Sequence, residues 1–145
     1  HYDFIERFLM EKPGLYRWDA GGEGWDNLNW NEGEDEIAWY VELGPQQALA
    51  ARCIVGITEA LGQEDTAAEY RRRWAEKRSQ LEAHWNPEQN WYCSLTADGR
   101  FTRKTLNGMW PLMARLVDPD RAADIVRKTL MNPEVFLTSP MPLPS

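Results

Sequence analysis

The two longest helical patterns in this chain have opposite characters, and that contrast constrains the fold more than any single motif. Residues 46–61, QQALAARCIVGITEAL, carry only Arg52 and Glu59 as charges, seven residues apart on one side. A helix that is apolar around most of its circumference must be largely buried. Residues 64–84 carry ten charged positions, and a narrow apolar stripe runs through Tyr70, Trp74 and Leu81 to Trp85. That pattern puts one face on a core and the rest in water. The contrast repeats downstream. Residues 105–117 place Leu106, Met109, Trp110, Met113 and Leu116 on a broad face with Arg115 the only charge, and Pro111 either kinks this helix or sits in its first turn. Residues 120–131 then carry Asp120, Arg121, Asp124, Arg127 and Lys128.

Alternating buried and exposed helices are what α/α toroids and α-solenoids produce, and no 34-residue self-similar pattern favours the solenoid. The expected fold is therefore all-α: a partial (α/α)6 toroid of inner and outer helices with one small β-hairpin. The hairpin is expected at 90–104, where Trp91, Cys93 and Leu95 alternate with polar neighbours and Ala97-Asp98-Gly99 supplies a turn. A closed toroid needs twelve helices, roughly 200 residues at ~11–12 per helix and ~4–6 per connection. Residues 1–145 supply about five helices, so they read as a fragment of one domain truncated at both ends, the first residue being His rather than Met.

Charge and cysteine usage exclude several classes. Sixteen Lys and Arg against 23 Asp and Glu give a net charge of -7, which repels phosphate backbones and disfavours nucleic acid as a partner. The Arg71-Arg72-Arg73 run is flanked by Glu69 and Glu76 and reads as a solvated helix face. No run approaches the ~20 apolar residues that a membrane span requires. Residues 1–11 carry charge inside their apolar stretch and lack a small-residue cleavage site, which favours the cytoplasm over secretion. Cys53 and Cys93 lie 40 residues apart and neither His1 nor His84 clusters with them, so no disulfide framework, metal site or cofactor is expected.

Chemistry concentrates in the stretch from 13 to 36, which has no sustained period of 2 or 3.6; a loop of that length in a compact domain is usually functional. Between 18 and 39, Trp18, Trp25, Trp30 and Trp39 are interleaved with Asp19, Glu23, Asp26, Glu32, Glu34, Asp35 and Glu36. Flat aromatic faces beside carboxylates suit a sugar, which offers C–H faces for stacking and hydroxyls for carboxylate and amide groups. Tryptophans that merely pack the loop, with solvated acids, fit the same composition. The acidic run lacks the ligand order of a calcium loop, and Gly21, Gly22 and Gly24 do not form a phosphate loop because Asn27 stands where glycine is needed. Asp26 stands out, embedded in Gly24-Trp25-Asp26-Asn27: a carboxyl beside an indole loses solvation and neighbouring carboxylates push the same way, favouring the protonated form that a general acid needs.

The strings EGWDN (23–27), YVELGPQQALAARCIVGITEALG (40–62), WNPEQNWYCSLTADGRF (85–101), TLNGMWPLMA (105–114) and MNPEVFLTSPMPLPS (131–145) resemble, in this order and spacing, glycoside hydrolase family 63. Relatives include trehalases and the mannosylglycerate and glucosylglycerate hydrolases. The resemblance implies an (α/α)6 catalytic domain, inversion at the anomeric carbon, and a general-acid aspartate that falls on Asp26. It places the catalytic glutamate base beyond Ser145. Relatives usually have Ser before the glycine of the motif, where Glu23 stands, and an Arg before the tryptophan matching Trp30. Those departures bear on the substrate more than on the chemistry.

An inverting glycosidase needs an acid on the leaving oxygen and a base ~6.5–9.5 Å away that activates water. The expected function is a fragment of an inverting α-glycosidase acting on an α-glucosidic or α-mannosidic bond, inactive as the isolated 145 residues. Trp25, Asn27 and Trp30 are expected to touch the sugar by adjacency to Asp26, and Gln46 to point into the barrel mouth, helix capping being its alternative role. A small sugar or oligosaccharide is the expected partner, with self-association of the fragment through its uncovered apolar faces. The competing reading is a non-catalytic α-helical module that binds carbohydrate or protein. A sugar epimerase on a toroid would use barrel histidines, and neither His1 nor His84 lies on a buried helical pattern.

Overall fold

The computed structural model describes residues 2–17 and 37–135. A short helix α1 (Tyr2–Phe8) leads into a small hairpin of β1 (Met10–Lys12) and β2 (Leu15–Tyr16), turned at Gly14 with φ +79°. α1 ends at Phe8, and Pro13-Gly14 reverses the chain between β1 and β2. Strand β3 (Ile37–Trp39) follows, then the long helices α2 (Leu43–Ala60) and α3 (Glu64–Gln80), packed side by side as an αα-hairpin across Gly62. A 3-10 turn over Leu81–His84 delivers β4 (Trp85–Asn86), β5 (Trp91–Tyr92) and β6 (Leu95–Thr96). The chain closes with a 3-10 turn at Leu106–Met109, α4 (Trp110–Met113), α5 (Pro119–Ile125) and a π-helical turn at Val126–Leu130.

The expected all-α partial toroid with a single hairpin is not what forms. Three separate two-stranded antiparallel sheets, β1–β2, β3–β6 and β4–β5, make the described fold a mixture of helices and strands. Two physical reasons account for the difference. Each strand is two or three residues long, too short to show a period. Residues 91–96 are buried on both faces, so the alternation expected of Trp91, Cys93 and Leu95 does not set an inside against an outside. The strand partners are also distant in sequence: Ile37 pairs with Thr96 and Trp39 with Leu95. The turn at Ala97-Asp98-Gly99 does form, with Leu95 bridging Phe101 and Gly99 at φ +82°.

The contrast between the long helices holds in part. In α2 the first half is buried, including Leu43, Gln47, Ala48 and Ala51, while Cys53, Ile57 and Ala60 are exposed. Only Ala67 and Lys77 of α3 are buried. The stretch 105–117 is not one helix. Pro111 sits in the first turn of α4, where its missing N–H costs nothing, and Arg115 at φ +55° ends the helix after Ala114. Gly108 lies flush against strand β5: a Cβ there would stand 2.1 Å from Trp91 Nε1, whose N–H donates to the Thr105 carbonyl at 2.8 Å. Ile57, Leu61 and Met113 keep large apolar areas in water.

The main core joins Val41, Ala48, Leu81, Trp91, Tyr92, Ala114, Leu116 and Ile125, and a smaller cluster gathers Tyr16, Tyr40 and Leu43. His84 is enclosed between them, and its Nδ1–H donates to the Cys93 carbonyl at 2.9 Å. Burial pushes the His84 pKa below its ordinary value, outweighing the Cys93 and Gly14 carbonyls that favour the cation. An unfolded histidine takes up its proton as the pH falls through about 6.5, while the folded one resists until its lower pKa. Stability is therefore full above about pH 6.5, the unfolded value, and falls on acidification, by at most about 1.4 kcal/mol per pH unit. Urea unfolding at pH 7.5, 6.0 and 5.0 should show this slope, and His84→Gln should flatten it. An unchanged slope in the variant would assign the acid sensitivity elsewhere.

Candidate active site

Trp25, Asp26, Asn27 and Trp30 lie outside the described residues, and Gln46 lies within them. The chain leaves the described fold at Arg17 and re-enters at Ile37, and both ends of that passage are anchored. Arg17 N–H donates to the Leu9 carbonyl at 2.8 Å, and Tyr40 N–H to the Tyr16 carbonyl at 3.0 Å. The Trp39 indole N–H donates to Glu11 Oε2 at 2.9 Å, with the Lys12 ammonium 4.8 Å above the ring. The Trp39 N–H holds the Glu11 carboxyl below its ordinary range, helped by Arg17.

An open concavity of about 320 Å³ borders this passage, walled by Arg17, Ile37, Ala38, Thr96, Asp98 and Arg100. The Asp98 pKa is lowered to about 2, by the Thr96 hydroxyl first and then by the Arg100 guanidinium, whose Nε lies 2.9 Å from Oδ2. At neutral pH the wall thus presents a fixed carboxylate and cationic groups to solvent.

Gln46 stands in the first turn of α2, half-buried, and its N–H donates to the Glu42 carbonyl at 2.9 Å. Its neighbour Gln47 is the buried one of the pair, and Gln47 Oε1 has no hydrogen-bond partner among the described residues. A second polar pair lies at the same helix start, one that the charge pattern of the long helices does not mark. Glu42 is fully buried just before α2, and its Oε1 accepts from Asn107 Nδ2 at 2.9 Å; Asn107 is itself fully buried. One residue earlier, Val41 N–H donates to Ser94 Oγ at 3.2 Å. The signal was present in IAWYVELGP (37–45), where Glu42 is the only charge in an otherwise apolar run. A lone carboxylate inside such a run is either a buried functional group or a costly accident.

Among the described residues no group of three or more His, Cys, Asp or Glu side chains is arranged to hold a metal ion, and no helix is long and apolar enough to cross a membrane. Cys93 is buried, and loss of solvation pushes its thiol up to about 12, so it is not a thiolate at neutral pH.

Residues 9–145 match the family model described as the mannosylglycerate hydrolase MGH1-like glycoside hydrolase domain. The chain belongs to this family, and with it to the glycoside hydrolases, which take carbohydrate substrates. No individual curated protein matches it, and no solved structure does.

Proposed function

We propose that this chain carries the general-acid side of an inverting α-glycosidase that hydrolyses an α-mannosidic or α-glucosidic bond, with Asp26 as the proton donor. The observation that carries the reading is the family match over 9–145, which includes Gly24-Trp25-Asp26-Asn27. Trp25 beside Asp26 strips water from the carboxyl and keeps it protonated near neutrality. The proton passes to the glycosidic oxygen as its bond to the anomeric carbon breaks. In the same displacement a water, deprotonated by a second carboxylate, attacks the anomeric carbon from the opposite face of the sugar. We place that second carboxylate beyond Ser145, as the resemblance implies. Trp25 and Trp30 stack on the sugar faces, Asn27 bonds a hydroxyl, and Gln46 contributes from the first turn of α2.

The family description names a mannosylglycerate hydrolase, which makes mannosylglycerate the first substrate to try and glucosylglycerate the second. Proton NMR of the freshly released sugar tests the proposal in the protein encoded by the complete reading frame. An α-linked substrate should yield the β-anomer first, with the α-anomer appearing only by mutarotation. Initial release of the α-anomer would mean retention, and neither sugar appearing would remove the assignment of these bonds.

A further inference from the structure

Glu42 is a carboxylate with 0% exposure. Taking a charge out of water costs several kcal/mol, and a well-packed apolar residue serves stability as well or better. Its position does not answer to helix capping either: Glu42 occupies the N-cap of α2, yet its side chain makes no cap hydrogen bond to that helix. It reaches instead to Asn107, 65 residues away in the 3-10 turn Leu106–Met109. Asn107 Oδ1, buried on the same amide group, has no hydrogen-bond partner among the described residues.

What the contact joins gives it a purpose. On one side of Glu42, Tyr40 is bonded to Tyr16 at the edge of the 18–36 passage, and Val41 is bonded to Ser94. On the other side, the Glu42 carbonyl receives the Gln46 N–H and so starts the turn that carries Gln46. One buried contact therefore ties the returning end of the segment bearing Asp26, the first turn of α2 and the 3-10 turn at Leu106–Met109 into a single rigid unit. Rigid support of this kind sets catalytic geometry, because small displacements of reacting groups are costly in rate.

We infer that Glu42, acting through Asn107, is a positioning residue of the glycosidase site. The inference rests on the proposed glycosidase reading. The test uses the protein encoded by the complete reading frame and whichever of mannosylglycerate and glucosylglycerate it hydrolyses. Glu42→Gln should reduce kcat/KM by roughly 10- to 100-fold, the range that a misplacement of about 1 Å produces. Most of the loss should appear in kcat, with the thermal midpoint little changed. Asn107→Ala should give a similar loss, and the two substitutions combined should lose no more than either alone, since both break one contact. In the unsubstituted protein the Asn107 side-chain amide NMR signals should shift on titration with the glycoside, a readout that does not depend on any variant folding.

Wild-type kcat/KM in Glu42→Gln, additive losses in the double variant, or amide signals unmoved by glycoside would overturn the positioning role while leaving the glycosidase reading intact. A lower melting temperature with unchanged turnover would make Glu42 purely structural. Failure of the unsubstituted protein to hydrolyse either glycoside would sink the glycosidase reading and the positioning role with it.

Discussion

Asp26→Asn, in the protein encoded by the complete reading frame, is expected to cut turnover on natural glycosides by ~10²–10⁴-fold, the usual contribution of a general acid. A carboxamide has nearly the size of the carboxylic acid and cannot supply its proton, so the sugar still binds and KM changes little. The loss should depend on the leaving group. A sugar alkoxide or glycerate oxygen departs only when protonated, whereas an activated aryl oxide is stable enough to leave with little help. Steady-state kinetics on mannosylglycerate and on an aryl α-mannoside would therefore separate widely in the variant. Equal losses on the two substrates would make Asp26 a structural residue and shift the search for the acid to Glu32, Glu34, Asp35 and Glu36.

The second large effect concerns stability. Lys77 is 5% exposed, and its ammonium lies 2.6 Å from Glu6 Oε2 and 3.2 Å from Gln80 Oε1, above the Tyr16 ring at 5.2 Å. The other Glu6 oxygen accepts from the Tyr16 hydroxyl at 2.6 Å. This pair joins α1 to α3 and to β2, and through β2 it steadies the point at which the chain leaves the described fold. Lys77→Ala would leave a largely enclosed carboxylate with the Tyr16 hydroxyl but no counter-charge, a change that costs about 3 kcal/mol, the low end for buried pairs because Glu6 keeps 20% exposure. At the entropy of unfolding usual for a chain of this length, that is a fall of roughly 10 °C in the thermal midpoint. Glu6→Gln combined with Lys77→Met should recover much of the loss, since neither charge then needs a partner. A loss below about 1 kcal/mol in the single variant would show the pair to be screened like a surface salt bridge.

The surface pairs set a useful contrast. Arg71 with Glu59 and Arg72 with Glu76 are about half exposed, and Arg73 is shared between Asp3 and Glu69. The run 71–73 thus turns out to be a salt-bridged helix face, as its acidic flanks predict. Lys77 belongs to the same charged helical pattern, and nothing in its sequence neighbourhood marks it as the buried member. Its burial comes from α1 and β2 folding over that side of α3.

Several features of this protein were written in local sequence. The helical spans of α2 and α3 follow from charge spacing, and the reversal at Asp98-Gly99 from glycine's access to positive φ, while Pro111 left a kink and a first turn open until the structure put it in a first turn. The family was legible too, because an ordered set of short strings persists without regard to how the chain packs. The sheets were not legible. A strand of two residues has no period, and β3 pairs with β6 across the two long helices that intervene in sequence. Glu42 and Gln47 tell the same story at the level of single side chains: sequence places Gln46, Gln47 and Glu42 around one helix start, but which of them is enclosed depends on what covers that end of α2. Local sequence sets backbone preference and amphipathic pattern over a few turns. Burial of a particular polar group depends on contacts between residues far apart in the chain, such as the 65-residue step from Glu42 to Asn107, and only the tertiary structure decides those.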